Sequence, residues 1–178
     1  MNWNTLPLHP AIVHLPMGLS VVLPLLAAFL VWSLWRDRLP RWAWVAVVGL
    51  QAVLVASAGM ALRSGESEEA QVERVVAEQF IEAHEAAAQT FTLAAILVLA
   101  LTIGVLVLRS GPARRGLSVA VVVGMLGVAG LGVRVGHAGG ELVYVHDAAH
   151  AYVPAAGAPG PTRPGLGAAG DGDDGDDD

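Results

Sequence analysis

The chain has 178 residues, 54% apolar and only 15% charged, with a mean hydropathy of +0.58, which is too apolar for one water-soluble domain and suits a membrane domain with short loops. The absence of cysteine excludes disulfides, thiolate metal sites, iron–sulfur clusters and covalently attached haem. The net charge of −6 comes mostly from the last eight residues, six aspartates and two glycines, so it says little about what the rest of the chain binds.

Apart from histidine, no charged residue lies between Met1 and Arg36, Arg41 and Arg63, Glu85 and Arg109, or Arg115 and Arg134. A bilayer-spanning helix needs about 20 mostly apolar residues. The four runs therefore predict spans at about residues 11–35, 42–62, 86–108 and 116–136 of an all-α, integral membrane four-helix bundle. Nothing positive precedes the first run, and Arg36, Arg38 and Arg41 follow it, which is the reverse of the charge order of a cleaved signal peptide. It reads as a helix that stays in the protein.

The loop Arg36–Arg41 has three arginines and one aspartate, and Arg109–Arg115 has three arginines and no acid. Between them, Arg63–Glu85 has two arginines against seven glutamates. Short basic loops stay in the cytoplasm, so the first and third connections are expected inside, and both termini outside, in the inner membrane of a bacterium. Residues 66–85 form a helical, extracytoplasmic segment in this reading, with an apolar stripe of Val72, Val75, Val76, Gln79 and Phe80. From Pro154 the chain is dominated by alanine, glycine, proline and aspartate, and a disordered acidic tail over 154–178 is expected.

This topology gathers all six histidines at the outer end. His9 and His14 precede the first span, His84 the third, and His137, His146 and His150 follow the fourth. Gly124, Gly127, Gly130, Arg134 and His137 recur along one face of the fourth helix, and Gly49, Ala52, Ala56 and Gly59 along one face of the second. His84, Ala88, Phe91 and Ala95 run down the third. Such faces either pack helices closely in lipid or leave room for a flat cofactor. Arg134 either snorkels to the headgroups or pairs with a glutamate or an anionic ligand such as a haem propionate. His146, Asp147 and His150 have helical spacing but lie between Gly140 and Pro154, where a loop is expected rather than a metal site.

Two stretches resemble a known family. Leu8-His9-Pro10-Ala11-Ile12-Val13-His14-Leu15-Pro16-Met17-Gly18 is similar to the opening of bacterial membrane proteins of the domain of unknown function 2231 family, and Gly136-His137-Ala138-Gly139-Gly140-Glu141-Leu142-Val143-Tyr144 to its closing signature. His84 falls where that family opens its third helix with a histidine, and the resemblance spans about residues 6–147. After Tyr144 this chain departs from the pattern, continuing Asp147-Ala148-Ala149-His150. The resemblance implies a four-helix membrane domain without an established activity. Some relatives are joined to Rieske-type or cytochrome c domains, which implies a redox setting.

Three readings follow. The first is a structural or partner-binding membrane subunit with no cofactor, its histidines capping helices. The second is a b-type haem protein, since non-covalent haem takes neutral imidazole ligands. His14 and His84 are the preferred pair there, with His137 as an alternative ligand or hydrogen-bonding partner and Arg134 beside it. The third is a metal-binding or small-solute transport protein, disfavoured because the spans hold few polar residues beyond Gln51, Ser57, Gln89 and some threonines. No phosphate-binding loop, nucleophile elbow, paired intramembrane carboxylates or basic patch for nucleic acid is present.

Overall fold

The computed structural model describes residues 8–36, 40–109 and 111–153. The expected acidic tail and parts of both arginine-rich loops lie outside the described residues. The elements are α1 (His9–Ile12), α2 (His14–Trp35), α3 (Trp44–Val72), α4 (Glu78–Val107) and α5 (Pro112–Tyr144), with short 3-10 turns at Arg41–Ala43 and Ala148–Tyr152. No strand occurs among the described residues.

Among the described residues, four stretches are long and apolar enough to cross a membrane: His9–Trp35, which joins α1 and α2, then α3, α4 and α5. Their outward surfaces are greasy. Val21, Leu25, Phe29, Leu93, Leu97, Val123, Leu126 and Val133 are all exposed, an arrangement that water opposes and hydrocarbon accepts. Trp32, Trp35 and Trp42 are exposed at the end opposite the histidines, and the Arg36 guanidinium lies 5.5 Å from the Trp32 ring. Indoles and arginines of this kind mark a membrane–water boundary.

α3, α4 and α5 have 29, 30 and 33 residues, well beyond the length the hydrocarbon requires. The excess at the histidine end carries glutamates. Residues 66–85 are shared between two of these helices. Residues 66–72 extend α3, a turn covers 73–77, and residues 78–85 open α4. The reason is hydrogen bonding. A helix already running satisfies its backbone as it leaves the membrane, and the chain turns only where Val75 and Val76 bond back to the Val72 carbonyl.

The core follows one rule in every helix. Buried residues recur in steps of four and three: Pro16, Ser20, Leu23, Ala27 and Leu30 in α2, and Phe91, Ala95, Val98, Thr102 and Val105 in α4. Val47, Gln51, Leu54, Ala58 and Ala61 do so in α3, and Val121, Met125, Val128, Gly132 and Val135 in α5. This is the knobs-into-holes seam of an antiparallel bundle. α2 packs on α3 and α5, and α4 on the same two, so α2 and α4 stand diagonally.

These lists also superimpose on one another. The offset that carries His9 to His84 carries each of the five α2 positions onto its α4 counterpart. An offset one residue shorter carries the α3 set onto the α5 set. The chain is thus two equivalent hairpins, α1–α3 and α4–α5, arranged around a pseudo-twofold axis between them.

The small-residue faces read from the sequence of α3 and α5 point mostly elsewhere than the core, although Gly124 packs on Val98 of α4, where a Cβ would come within 2.8 Å. Gly49, Ala52, Ala56, Gly127 and Gly130 are exposed, and a Cβ added at Gly49, Gly127 or Gly130 would meet no atom within 4 Å. In a bilayer both faces of a helix are apolar, so glycine content alone does not identify the packed side. The face read for α4 does point inward, with Phe91 and Ala95 buried.

Candidate functional site

At the histidine end the four helices splay around a cavity of about 650 Å³, with walls that are largely apolar. Its lower wall includes Met17, Ala58, Ala88 and Phe91, and Glu66, Glu68 and Glu69 lie toward its mouth. Gly132 is buried and lets α5 pack closely on α2 and α4, because a Cβ there would come within 3.3–3.4 Å of Ser20, Met17 and Phe91.

Two histidines face each other across this space. His9 sits at the start of α1, where its backbone N–H and that of Leu8 donate to Glu68 Oε1 at 3.3 and 3.1 Å. A carboxylate is well placed there, since the first amides of a helix lack partners within it. The His9 ring crosses to α3, with Nδ1 2.9 Å from the Ala61 carbonyl and 3.0 Å from Ser64 Oγ. A carbonyl only accepts, so Nδ1 carries the proton and Nε2 keeps its lone pair.

His84 repeats the arrangement from α4. Its ring lies against α5 beside Val135 and Gly139. Its Nδ1 is buried and has no hydrogen-bond partner among the described residues. Ala61 lies 52 residues beyond His9, and Val135 one residue fewer beyond His84. In both cases the residue four positions further on is a glycine. A Cβ at Gly65 would stand 3.4 Å from His9 Cε1, and one at Gly139 3.1 Å from His84 Cε1. Glycine therefore opens the helix surface so that each ring can lie against it, His9 on α3 and His84 on α5. The rings are 6.3 Å apart between centroids and inclined at 86°.

The C-terminal segment closes over the mouth. Asp147, with φ of 61°, turns the chain after α5, and its carboxylate lies 2.6 Å from His150 Nδ1. His146 stacks on Phe80 at 3.7 Å. Gln71 donates to the Ala151 carbonyl at 2.7 Å, and the Tyr152 hydroxyl to Glu68 Oε2 at 2.7 Å. Burial, followed by the bond to Glu68 and its charge, holds the Tyr152 phenol protonated well above its ordinary range. Glu68 thus joins the start of α1, the end of α3 and the C-terminal turn.

Of the four candidate cofactor residues, His14, His84, His137 and Arg134, only His84 lines this cavity. His14 is exposed and donates to the Pro10 carbonyl of its own helical turn at 2.6 Å. His137 is exposed beside Glu141 at 3.4 Å, and Arg134 is exposed on the outer face of α5. His9 was expected among the gathered histidines but without a ligand role, and Glu68 and Tyr152 were not anticipated. For His9 the signal was present in the repeated histidine-to-glycine spacing of the two hairpins. No group of three or more histidines and carboxylates with metal-holding geometry occurs among the described residues.

A protein-family description, "Predicted membrane protein (DUF2231)", matches residues 5–151. No curated protein and no solved structure shows significant similarity to the chain.

Proposed function

We propose that this chain, which belongs to the DUF2231 family of predicted membrane proteins, is a ligand-holding subunit of the bacterial inner membrane, with its cavity, histidines and both termini on the extracytoplasmic side. The observation that carries this reading is the cavity itself. A bundle selected only to hold together closes its core to near-crystalline density. Here apolar walls enclose about 650 Å³, within the usual size range of small-molecule and cofactor sites, and two imidazoles converge on it. The orientation is supported by the arginines of the short loops, and a redox setting by the relatives joined to Rieske-type or cytochrome c domains.

Native mass spectrometry of the protein released from lipid nanodiscs tests this, with Ala58→Phe and Ala88→Phe filling the cavity. The expected result is a bound small molecule on the wild type that both variants lack. A bare wild type, together with filled variants that melt higher, would overturn it.

A further inference from the structure

The occupant is readable from the two rings, granted that the cavity is a ligand site. In both histidines Nδ1 is turned into a helix wall, onto the Ala61 carbonyl in one and buried beside Val135 in the other. Nε2 is left as the open nitrogen of each ring. Imidazoles that bind metal hold their second nitrogen against a carbonyl or carboxylate, as His9 does with Ala61.

The spacing narrows the choice. Two imidazoles on opposite sides of one metal ion, bonded at about 2 Å each, place their centroids close to the 6.3 Å observed. A para-quinone held at both ends by hydrogen bonds of about 2.8 Å would force the rings much further apart, since the quinone's own length adds to both bonds. A bare zinc ion needs three or four protein donors, and no such group is present among the described residues. Haem iron needs two, because the macrocycle supplies the other four. The rings come from equivalent positions of the two hairpins, which suits a flat ligand whose two faces are alike.

We propose that the cavity holds a non-covalent haem, with its iron ligated axially by Nε2 of His9 and Nε2 of His84. With no cysteine in the chain, the macrocycle is retained by these two bonds and by apolar contact with residues such as Met17, Phe91 and Leu142. Glu66 and Glu69 at the mouth oppose the haem propionates, so Glu66→Gln tightens retention.

The test uses the full chain, expressed with added haem precursor and purified in mild detergent. A dithionite-reduced minus ferricyanide-oxidised spectrum is expected to show a sharp b-type α band, with a single haem per chain. His14→Ala and His137→Ala keep that band, His84→Ala and His9→Ala lose it, and His9→Met keeps a haem with an altered spectrum. The ferric protein gives a highly anisotropic low-spin electron paramagnetic resonance signal, as axial imidazoles at 86° require. Monodisperse wild type that shows no Soret band after titration with hemin overturns the haem. If native mass spectrometry then still finds another molecule that Ala58→Phe removes, the cavity reading stands without haem; if it finds none, both fall.

Discussion

Gly139 and Glu68 each decide the position of a residue other than themselves. A Cβ at Gly139 would sit 3.1 Å from His84 Cε1, so Gly139→Val must push the ring away from α5 or bend the helix. Overpacking of this kind costs about 1–3 kcal/mol, and the expected outcome is a lower melting temperature in detergent, with Gly65→Ala milder because its contact is 3.4 Å. Glu68→Ala strips three donors of their acceptor at once, Leu8 N, His9 N and the Tyr152 hydroxyl, each lost bond to a charged group being worth about 1.5–3 kcal/mol. Limited proteolysis after Val145 should then become fast. Because the Tyr152 pKa is raised by folding, its contribution is complete below the phenol's ordinary value of about 10 and is lost as the pH climbs through the folded value. Hydrogen exchange of residues 148–152 is therefore expected to accelerate in strong alkali in the wild type more than in Tyr152→Phe.

Among whole helices, Gln51 is the unusual buried group. Its amide donates to the Ala95 carbonyl of α4 at 3.3 Å, while Oε1 is buried without a hydrogen-bond partner among the described residues. Its counterpart in the second hairpin is Met125, equally buried. Exchanging a half-satisfied amide for an apolar chain of similar volume is neutral or stabilising by about 1 kcal/mol. Gln51→Met is thus expected to hold or raise the melting temperature, and a clear fall would show that the bond to α4 matters more than the unmet oxygen. The same helices show what the sequence could reveal. Uninterrupted apolar runs identify four spanning helices, because hydrocarbon imposes length and hydropathy. They do not reveal rotation, since Val123 toward lipid and Val121 toward the core are the same residue type. The polar residues Ser20, Gln51, Thr102 and Ser118 did mark the buried seams. His9 and His14 illustrate the cost at the site. Five positions apart is about 140° around a helix, and only His9 enters the bundle.

For the molecule as a whole, orientation is the first quantity to measure. The chain has no cysteine, so single introduced thiols report cleanly. Ser67→Cys is expected to react with an impermeant maleimide in intact spheroplasts, and Pro112→Cys only after lysis; the reverse pattern would put the cavity in the cytoplasm. The repeat of His9, Ala61 and Gly65 in His84, Val135 and Gly139 has a consequence of its own. One hairpin meeting an identical copy would already place two rings face to face, so the site needs no more information than a single hairpin encodes. Joined head to tail, the copies no longer have to match, and the differences between them show where each has since been free to vary. Proline at 24 has leucine at 99 opposite it, and Gln51 has Met125, while the histidines and the glycines beneath them are the same in both. A descendant of a self-pairing ancestor would behave this way, and its halves, produced as two separate chains, should still find each other in the membrane.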